Sequence, residues 1–369
     1  MRIGILVEDF GFGGVQRHTV NLIHALQADG HVVKALCFRD IPPMPMAADL
    51  APILVSTPRI FSRETAKALT LAANALDLDV LLCVNQAAAL RATMARLAGG
   101  LRTPLVFSLH TTQVGSLRGA AYLALMGAAS RFAAASIFIS ANQQRYLAGK
   151  GFRPHRPVLI RNGLDPERFP AVSAEERDQA RSGFDFTPHT LALGLIGVFR
   201  PEKNHGQLVR ATAALRRGGR DVRLLLVGDG PTRPEIEALV EAEGVASAVT
   251  FTGMQSDVRP MIAALDAGVI CSVAVETLSI AALEVLSCGV PMLMSDIGGA
   301  REIVTDGRNG YVFKAADDVG LEASILALAD ADRAHMGEEA ADIVRRDFRH
   351  DAMVEKYVAV FAAAARARR

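Results

Sequence analysis

Short apolar runs alternate with longer amphipathic stretches through most of the chain. IGILVE, VVKALCF, VLLCVN, PLVFSL and SIFIS each read as a strand buried on both faces. TLALGLIGVF, RLLLVGDG, AVTFTG, AGVICS and VPMLMS form a second series of the same kind. Between them, stretches such as VQRHTVNLIHAL and HGQLVRATAAL repeat apolar residues at the helical period. Strands alternating with helices predict right-handed crossovers and parallel sheets covered on both faces. Two series predict an α/β chain of two doubly wound, Rossmann-like domains facing across a cleft. The first is expected at 1–165 and the second at 166–349, joined near RNGLDPERFPAVSAEERDQA, where turn residues and charges cluster. Ligands in this architecture sit at the carboxyl ends of the strands, and a cleft between facing domains would hold one.

Composition narrows the class. The 369 residues are 50% hydrophobic and carry 40 basic against 39 acidic side chains, which excludes a disordered chain and gives no sign of a nucleic-acid partner. No uncharged apolar run reaches the roughly 18 residues of a membrane span. MRIGILVEDF turns acidic at once and lacks a small-residue cleavage site, so it reads as a first strand and not a signal peptide. Cys37, Cys83, Cys271 and Cys288 are scattered without metal-type spacing, which predicts reduced thiols in a cytoplasmic protein.

Candidate chemistry gathers where strands end. The first strand runs into EDFGFGGVQRH, whose Gly13 and Gly14 open a helix; free amides at such a start attract phosphate. Position 16 is Gln, so the G-x-G-x-x-G dinucleotide fingerprint is incomplete and a nicotinamide cofactor is not expected. Arg200 and Lys203 in GVFRPEKNHGQL follow a strand directly and could neutralise a diphosphate, although a solvated turn would read the same. Gly228, Asp229 and Gly230 lie between a strand and a helix, either for close approach of a ligand or for helix capping. VETLSIAALE carries two carboxylates, Glu276 and Glu284, in an otherwise apolar run. Glu276 is placed in a loop and Glu284 on the helix that follows. A helix from one to the other would span about 12 Å, roughly the reach from a hexose to the ribose of a nucleotide diphosphate sugar. The amides of Leu278 and Ser279 would then face the phosphates between them. Asp77-Leu78-Asp79 resembles a metal-binding DxD but precedes a strand, at the wrong end of a doubly wound sheet; no metal is expected.

Together these pieces resemble a GT-B glycosyltransferase of family 4, the retaining, nucleotide-sugar-dependent group. The resemblance rests on Gly13–Gly14–Val15–Gln16–Arg17, His110 after a strand, IRNGLDPERF, Arg200 with Lys203, GDGP, the Glu276/Glu284 pair and SDIGGAREIV…GYVF, in this order over nearly the whole length. It implies Gly13 and Gly14 near the donor phosphates, Arg200 and Lys203 on the diphosphate, and His110 over the donor sugar. It further implies Glu276 at the sugar near the reacting centre, Glu284 on the ribose, and Thr277 with Gly228, Asp229 and Gly230 among the donor contacts. Thr277 stands where the family usually has Gly. The implied donor is a UDP- or GDP-linked sugar with no further cofactor. The implied acceptor is a hydroxyl of a glycan or lipid-linked molecule of the cell envelope. A C-terminal helix at 350–369 should cross back onto the first domain. A nucleotide-sugar epimerase of the same fold class, or a non-catalytic sugar-nucleotide module, are the alternatives.

Charge is unevenly spread. Residues 80–164 contain no Asp or Glu, where the chain average of 39 acids in 369 residues would put about nine. The stretch holds Arg91, Arg96, Arg102, Arg118, Arg131, Arg145, Lys150, Arg153, Arg156 and Arg161, with Arg59, Arg63 and Lys67 just upstream and the apolar loop IPPMPM near them. This predicts either dispersed, solvated charge or a basic first domain. The latter would suit an anionic acceptor, or peripheral attachment at the inner face of an anionic membrane.

Overall fold

A computed structural model describes residues 1–55, 59–110, 117–274 and 276–367. Thr111 and Thr112, which follow His110, and Val275, which precedes Glu276, lie outside the described residues.

The chain forms two units, Met1–Asn162 with His350–Arg369, and Gly163–Arg349. The first boundary thus falls after Asn162 and not after residue 165. In the first unit the strands are β1 (Arg2–Val7), β2 (Val32–Cys37), β3 (Ile53–Leu54), β4 (Val80–Val84), β5 (Leu105–Leu109), β6 (Ala133–Phe138) and β7 (Pro157–Leu159). They form a seven-stranded sheet in the order β3-β2-β1-β4-β5-β6-β7. In the second unit β8 (Leu191–Ile196), β9 (Val222–Val227), β10 (Val249–Gly253), β11 (Ala267–Ile270), β12 (Met292–Ser295) and β13 (Gly310–Phe313) form a six-stranded sheet. Its order is β10-β9-β8-β11-β12-β13. Every pairing between these strands is parallel. Strand order reverses between β1 and β4 in one sheet and between β8 and β11 in the other, and such switch points are where doubly wound sheets take ligands.

Alternation along β1 shows why the strands read as continuous apolar runs. Ile3, Ile5 and Val7 enter one core while Leu6 enters the core on the opposite face. Gly4 faces that second core because a Cβ there would lie 2.5 Å from Leu78 Cδ1. The C-terminal helix His350–Arg366 contributes Met353, Val354, Tyr357 and Phe361 to the core that also holds Val20 and Ile23 of the helix Gly14–Ala28. In the second unit a buried carboxylate fixes the start of the switch-point strands. Asp266 accepts from the Ala192 amide (2.8 Å), from Arg177 (2.7 Å) and from Arg181 (3.1 Å), tying the helix Ala174–Gly183 to β8 and β11. Asp77 and Asp79 lie in the loop before β4, where Asp79 accepts from the Arg2 amide at 2.8 Å. The DxD-like pair is thus built into the amino end of the sheet. Among the described residues no helix is long and apolar enough to cross a membrane.

Candidate functional site

The polar groups of the second unit meet at its switch point. After β8 the chain passes through Phe199, whose amide donates to the Asp229 carbonyl (3.0 Å) and whose carbonyl accepts from Thr232 (3.2 Å). This crossing explains two of the glycines. A Cβ at Gly228 would lie 2.1 Å from the Gly197 carbonyl oxygen, and one at Gly230 would lie 2.5 Å from that of Phe199. The GDGP turn is therefore required by the backbone beneath Arg200, independently of any ligand. Asp229 is engaged too, accepting from the Gly230 amide (2.7 Å) and from Arg233 (2.8 Å).

A short 3-10 turn, Pro201–Lys203, follows, and Asn204 takes the left-handed conformation (φ 51°) that opens the helix His205–Arg217. Arg200 is exposed and forms no ion pair among the described residues. Lys203 turns toward the loop after β11, where its Nζ lies 2.6 Å from Glu276 Oε2. The Ser272 hydroxyl donates to the same oxygen at 3.2 Å, and the Val273 amide donates to the Glu202 carbonyl at 2.9 Å. One cation and one carboxylate, carried by the loops of adjacent strands, are thus brought together at the strand ends. His205 stacks on Phe199 with ring centroids 4.1 Å apart. Burial first, and then the Lys203 ammonium, lower its pKa to about 4, so it adds no charge beside the pair at neutral pH.

The Glu276 loop is braced from behind. Gly298 is in the left-handed region (φ +61°), and a Cβ there would lie 1.8 Å from the Glu276 carbonyl oxygen. The Gly299 amide donates to Thr277 O (2.7 Å), and Ser295 donates to Ser272 O (2.7 Å). Thr277 needs no positive φ, so a side chain is accommodated where the family usually has Gly. The helix itself begins only at Ile280, with Ser279 as its cap, accepting from the Ala282 amide at 3.3 Å. A continuous helical rise of about 12 Å from Glu276 to Glu284 is therefore not what separates them. Leu278 is buried just before the cap, and Glu284 is buried on the helix Ile280–Ser287 with 1% of its surface exposed.

In the first unit the glycine loop carries a buried carboxylate, Asp9, which accepts from the Gly11 amide (3.0 Å) and from Gln16 Nε2 (3.2 Å). Gly13 caps the helix Gly14–Ala28 without any side-chain hydrogen bond to the first turn, leaving that turn to be satisfied from outside the side chains. A Cβ at Gly13 would lie 2.3 Å from Gln16 Oε1, whereas one at Gly14 would meet nothing within 4 Å. His110 stands at the end of β5. Its amide donates to Asn85 Oδ1 (2.8 Å), and its Nε2 lies 2.9 Å from Ser108 Oγ. Burial lowers its pKa to about 4. His18, four residues into the helix that follows the glycine loop, packs against it with ring centroids 4.7 Å apart. Burial, with His110 and His350 adding to it, holds His18 well below the usual histidine value.

The basic side chains divide. Arg91 is buried, its guanidinium 3.8 Å over the Phe38 ring, and so leaves the surface count. Met44 of IPPMPM is buried in the core. Arg102, Arg131, Arg145, Lys150, Arg153 and Arg156 are exposed, as are Arg59, Arg63 and Lys67. Arg102, Arg131, Arg153 and Arg156 precede β5, β6 and β7, which are neighbours. They line the amino edge of the sheet, opposite to the end that carries Gly13, Gly14 and His110. The four cysteines are free and buried, and burial raises their thiol pKa values, so none is poised to react.

Residues 12–168 match the family described as Glycosyltransferase Family 4, and residues 190–331 match the family described as Glycosyl transferases group 1. The GDP-mannose-dependent alpha-(1-6)-phosphatidylinositol monomannoside mannosyltransferase of Mycobacterium tuberculosis is 32% identical over 284 residues, 73% of this chain and 71% of that protein. The N-acetyl-alpha-D-glucosaminyl L-malate synthase of Bacillus anthracis is 32% identical over 168 residues, 45% of this chain and 44% of its own length. The chain spans about half the length of this and the other first curated relatives it matches. Among solved structures, Anabaena HepE in complex with UDP superposes with a TM-score of 0.86 at 21% identity, covering 98% of this chain and all of that one. The two parallel-sheet units therefore constitute a GT-B fold. The chain belongs to the family 4 glycosyltransferases.

Proposed function

We propose that the protein is a retaining glycosyltransferase that moves a hexosyl unit from a UDP- or GDP-linked donor to a hydroxyl of a glycan or glycolipid of the cell envelope. The observation that carries this reading is the Lys203–Glu276 pair at the β8/β11 switch point, with the exposed Arg200 on the same turn. The mannosyltransferase and the structure of HepE with UDP-glucose supply the donor class. Lys203 has three donor hydrogens, so it can keep Glu276 while a phosphate oxygen joins it. Arg200 adds bidentate capacity, and together the two cations do for the leaving diphosphate what a metal does in other transferases. Glu276 faces the sugar and Glu284 the ribose. The bond from the anomeric carbon to the diphosphate breaks, the acceptor oxygen bonds on the same face, and its proton passes to the departing phosphate oxygen. The basic amino edge of the first sheet suits peripheral attachment to an anionic surface.

The test is a thermal-shift screen of UDP- and GDP-sugars, followed by turnover with each hit. A ligand at 100 times its Kd should add about 2.7 kcal/mol. Sugar transfer or slow donor hydrolysis that survives excess EDTA is expected. Epimerised donor as the product, binding without turnover, or loss in EDTA restored by magnesium would each overturn a stated part of the reading.

A further inference from the structure

The first unit closes a ring of contacts that the phosphate-binding groups do not use. His110 Nε2 lies 2.9 Å from Ser108 Oγ, Ser108 Oγ lies 3.2 Å from Tyr357 OH, and Tyr357 OH lies 3.4 Å from His18 Nε2. The His18 ring then returns to His110, tilted by 52°. Three elements meet here: the helix behind the glycine loop, the end of β5 and the C-terminal helix. All four side chains are buried, Ser108 and Tyr357 completely. Buried polar groups are costly unless each finds a partner, and these find one another.

Each hydroxyl has one hydrogen to donate, so the chain has two self-consistent directions. In one, His110 donates from Nε2 to Ser108, Ser108 donates to Tyr357, and Tyr357 donates to His18. In the other, His18 donates from Nε2 to Tyr357, Tyr357 to Ser108, and Ser108 to His110. The first puts the proton of a neutral His110 on Nε2; the second puts it on Nδ1. In either direction the Tyr357 hydroxyl takes part in selecting the tautomer of His110.

We propose that Ser108, Tyr357 and His18 are positioning residues for His110, fixing its ring and the nitrogen that carries its proton. A phenyl ring would fill the Tyr357 site equally well if packing were its whole role. The proposal rests on the reading above only in placing His110 at the donor sugar.

The decisive measurement is the ring nitrogen spectrum of the ligand-free protein labelled with 15N-histidine. Wild type should show His110 in a single neutral tautomer. Tyr357→Phe should mix or invert the tautomers, with a Tm lowered by the buried groups it leaves unpaired, and Ser108→Ala should do the same. An unchanged His110 spectrum in both variants would overturn the proposal, and Ser108→Ala alone decides it if Tyr357→Phe does not fold. In turnover of whichever UDP- or GDP-sugar the screen selects, Tyr357→Phe should lower kcat about tenfold, the scale of one lost hydrogen bond, with donor KM near wild type. In a His110→Ala background the same change should have no further effect. Additive losses there would mark Tyr357 as packing only and sink the proposal. If His110→Ala alone leaves kcat intact, the placement of His110 at the sugar fails, and the tautomer measurement still judges the network.

Discussion

The two units place different chemistry at the same topological position. Each has a strand beside the switch point whose carboxyl end turns into a helix. In the first unit β1 passes through a loop of residues 8–13 into the helix Gly14–Ala28, whose cap Gly13 offers no capping side chain. In the second, β8 passes through a 3-10 turn that presents Arg200 and Lys203, with Glu276 already 2.6 Å from the latter. On the function proposed above, one end would receive an anion through dipoles and the other through side-chain charge. The buried Asp9 carboxylate and two neutral histidines flank the first; an ion pair governs the second. A single sheet topology therefore does not dictate the electrostatics of its ligand end. The few residues after the strand do.

The sharpest break is expected at Glu276. Glu276→Gln should cut turnover about 100-fold, the scale of losing one preorganised electrostatic group, with nucleotide affinity little changed. Glu284→Gln should act mainly on nucleotide affinity, since ribose contacts are made in ground and transition states alike. Turnover of Glu276→Gln within threefold of wild type would remove it from the reacting centre.

Next come the two cations. Lys203→Ala and Arg200→Ala should each weaken UDP or GDP binding by about 1.5–3 kcal/mol in calorimetry, as for hydrogen bonds to charged groups. Only Lys203→Ala should also lower the Tm of the ligand-free protein, because it leaves the buried Glu276 carboxylate without its ammonium. Equal Tm values would show that the pair contributes nothing before a ligand arrives.

Acid should strike the neutral histidines. With folded values of about 4 for His110 and His205, and His18 held well below the usual histidine value, the unfolded chain binds protons first as pH falls through its value near 6.5. Stability from these groups is therefore complete above about pH 6.5 and declines toward pH 4. Thermal unfolding followed from pH 7.5 to 4.5 should show a falling Tm, and His205→Phe should flatten the decline. A flat profile in wild type would mean that these rings are solvated.

The glycine loop offers a finer test. Gly14→Ala should leave Tm unchanged, since its methyl group meets no atom within 4 Å, and yet weaken UDP or GDP binding where a phosphate approaches the backbone. Unaltered binding would leave the second unit as the sole anion receptor. The smallest effect belongs to the basic edge. Liposome co-sedimentation should show binding to anionic vesicles at low salt, released by high salt, with each basic residue near the surface contributing about 1 kcal/mol. Equal, negligible binding to neutral and anionic vesicles would leave those charges merely solvated.

Much of this was legible before any coordinates. Long buried strands announce themselves as apolar runs, and polar residues that follow such runs, such as Arg200, Lys203 and Glu276, or interrupt an apolar helix, as Glu284 does, stand out for the same reason. The strands not foreseen are short or half-buried. Ile53–Leu54 is a two-residue strand, and Pro157–Leu159 is partly exposed and begins at a proline. Gly228 and Gly230 were recognisable as turn residues, but their reason lies in the backbone of Gly197 and Phe199, which pattern alone does not bring near. Ser108 and Tyr357 were hidden because a polar atom on a core position is invisible until its partner is known, and theirs lie 249 residues apart.

That separation has a bearing on how the chain is made. The core of the first unit contains Met353, Val354, Tyr357 and Phe361, which leave the ribosome after the whole of Gly163–Arg349. The second unit is continuous in sequence and can complete its core during synthesis, whereas the first must wait, with part of its apolar surface uncovered, for the helix His350–Arg366. Domains usually mature in the order in which they are translated. Here the first unit cannot close that core until the second has been translated.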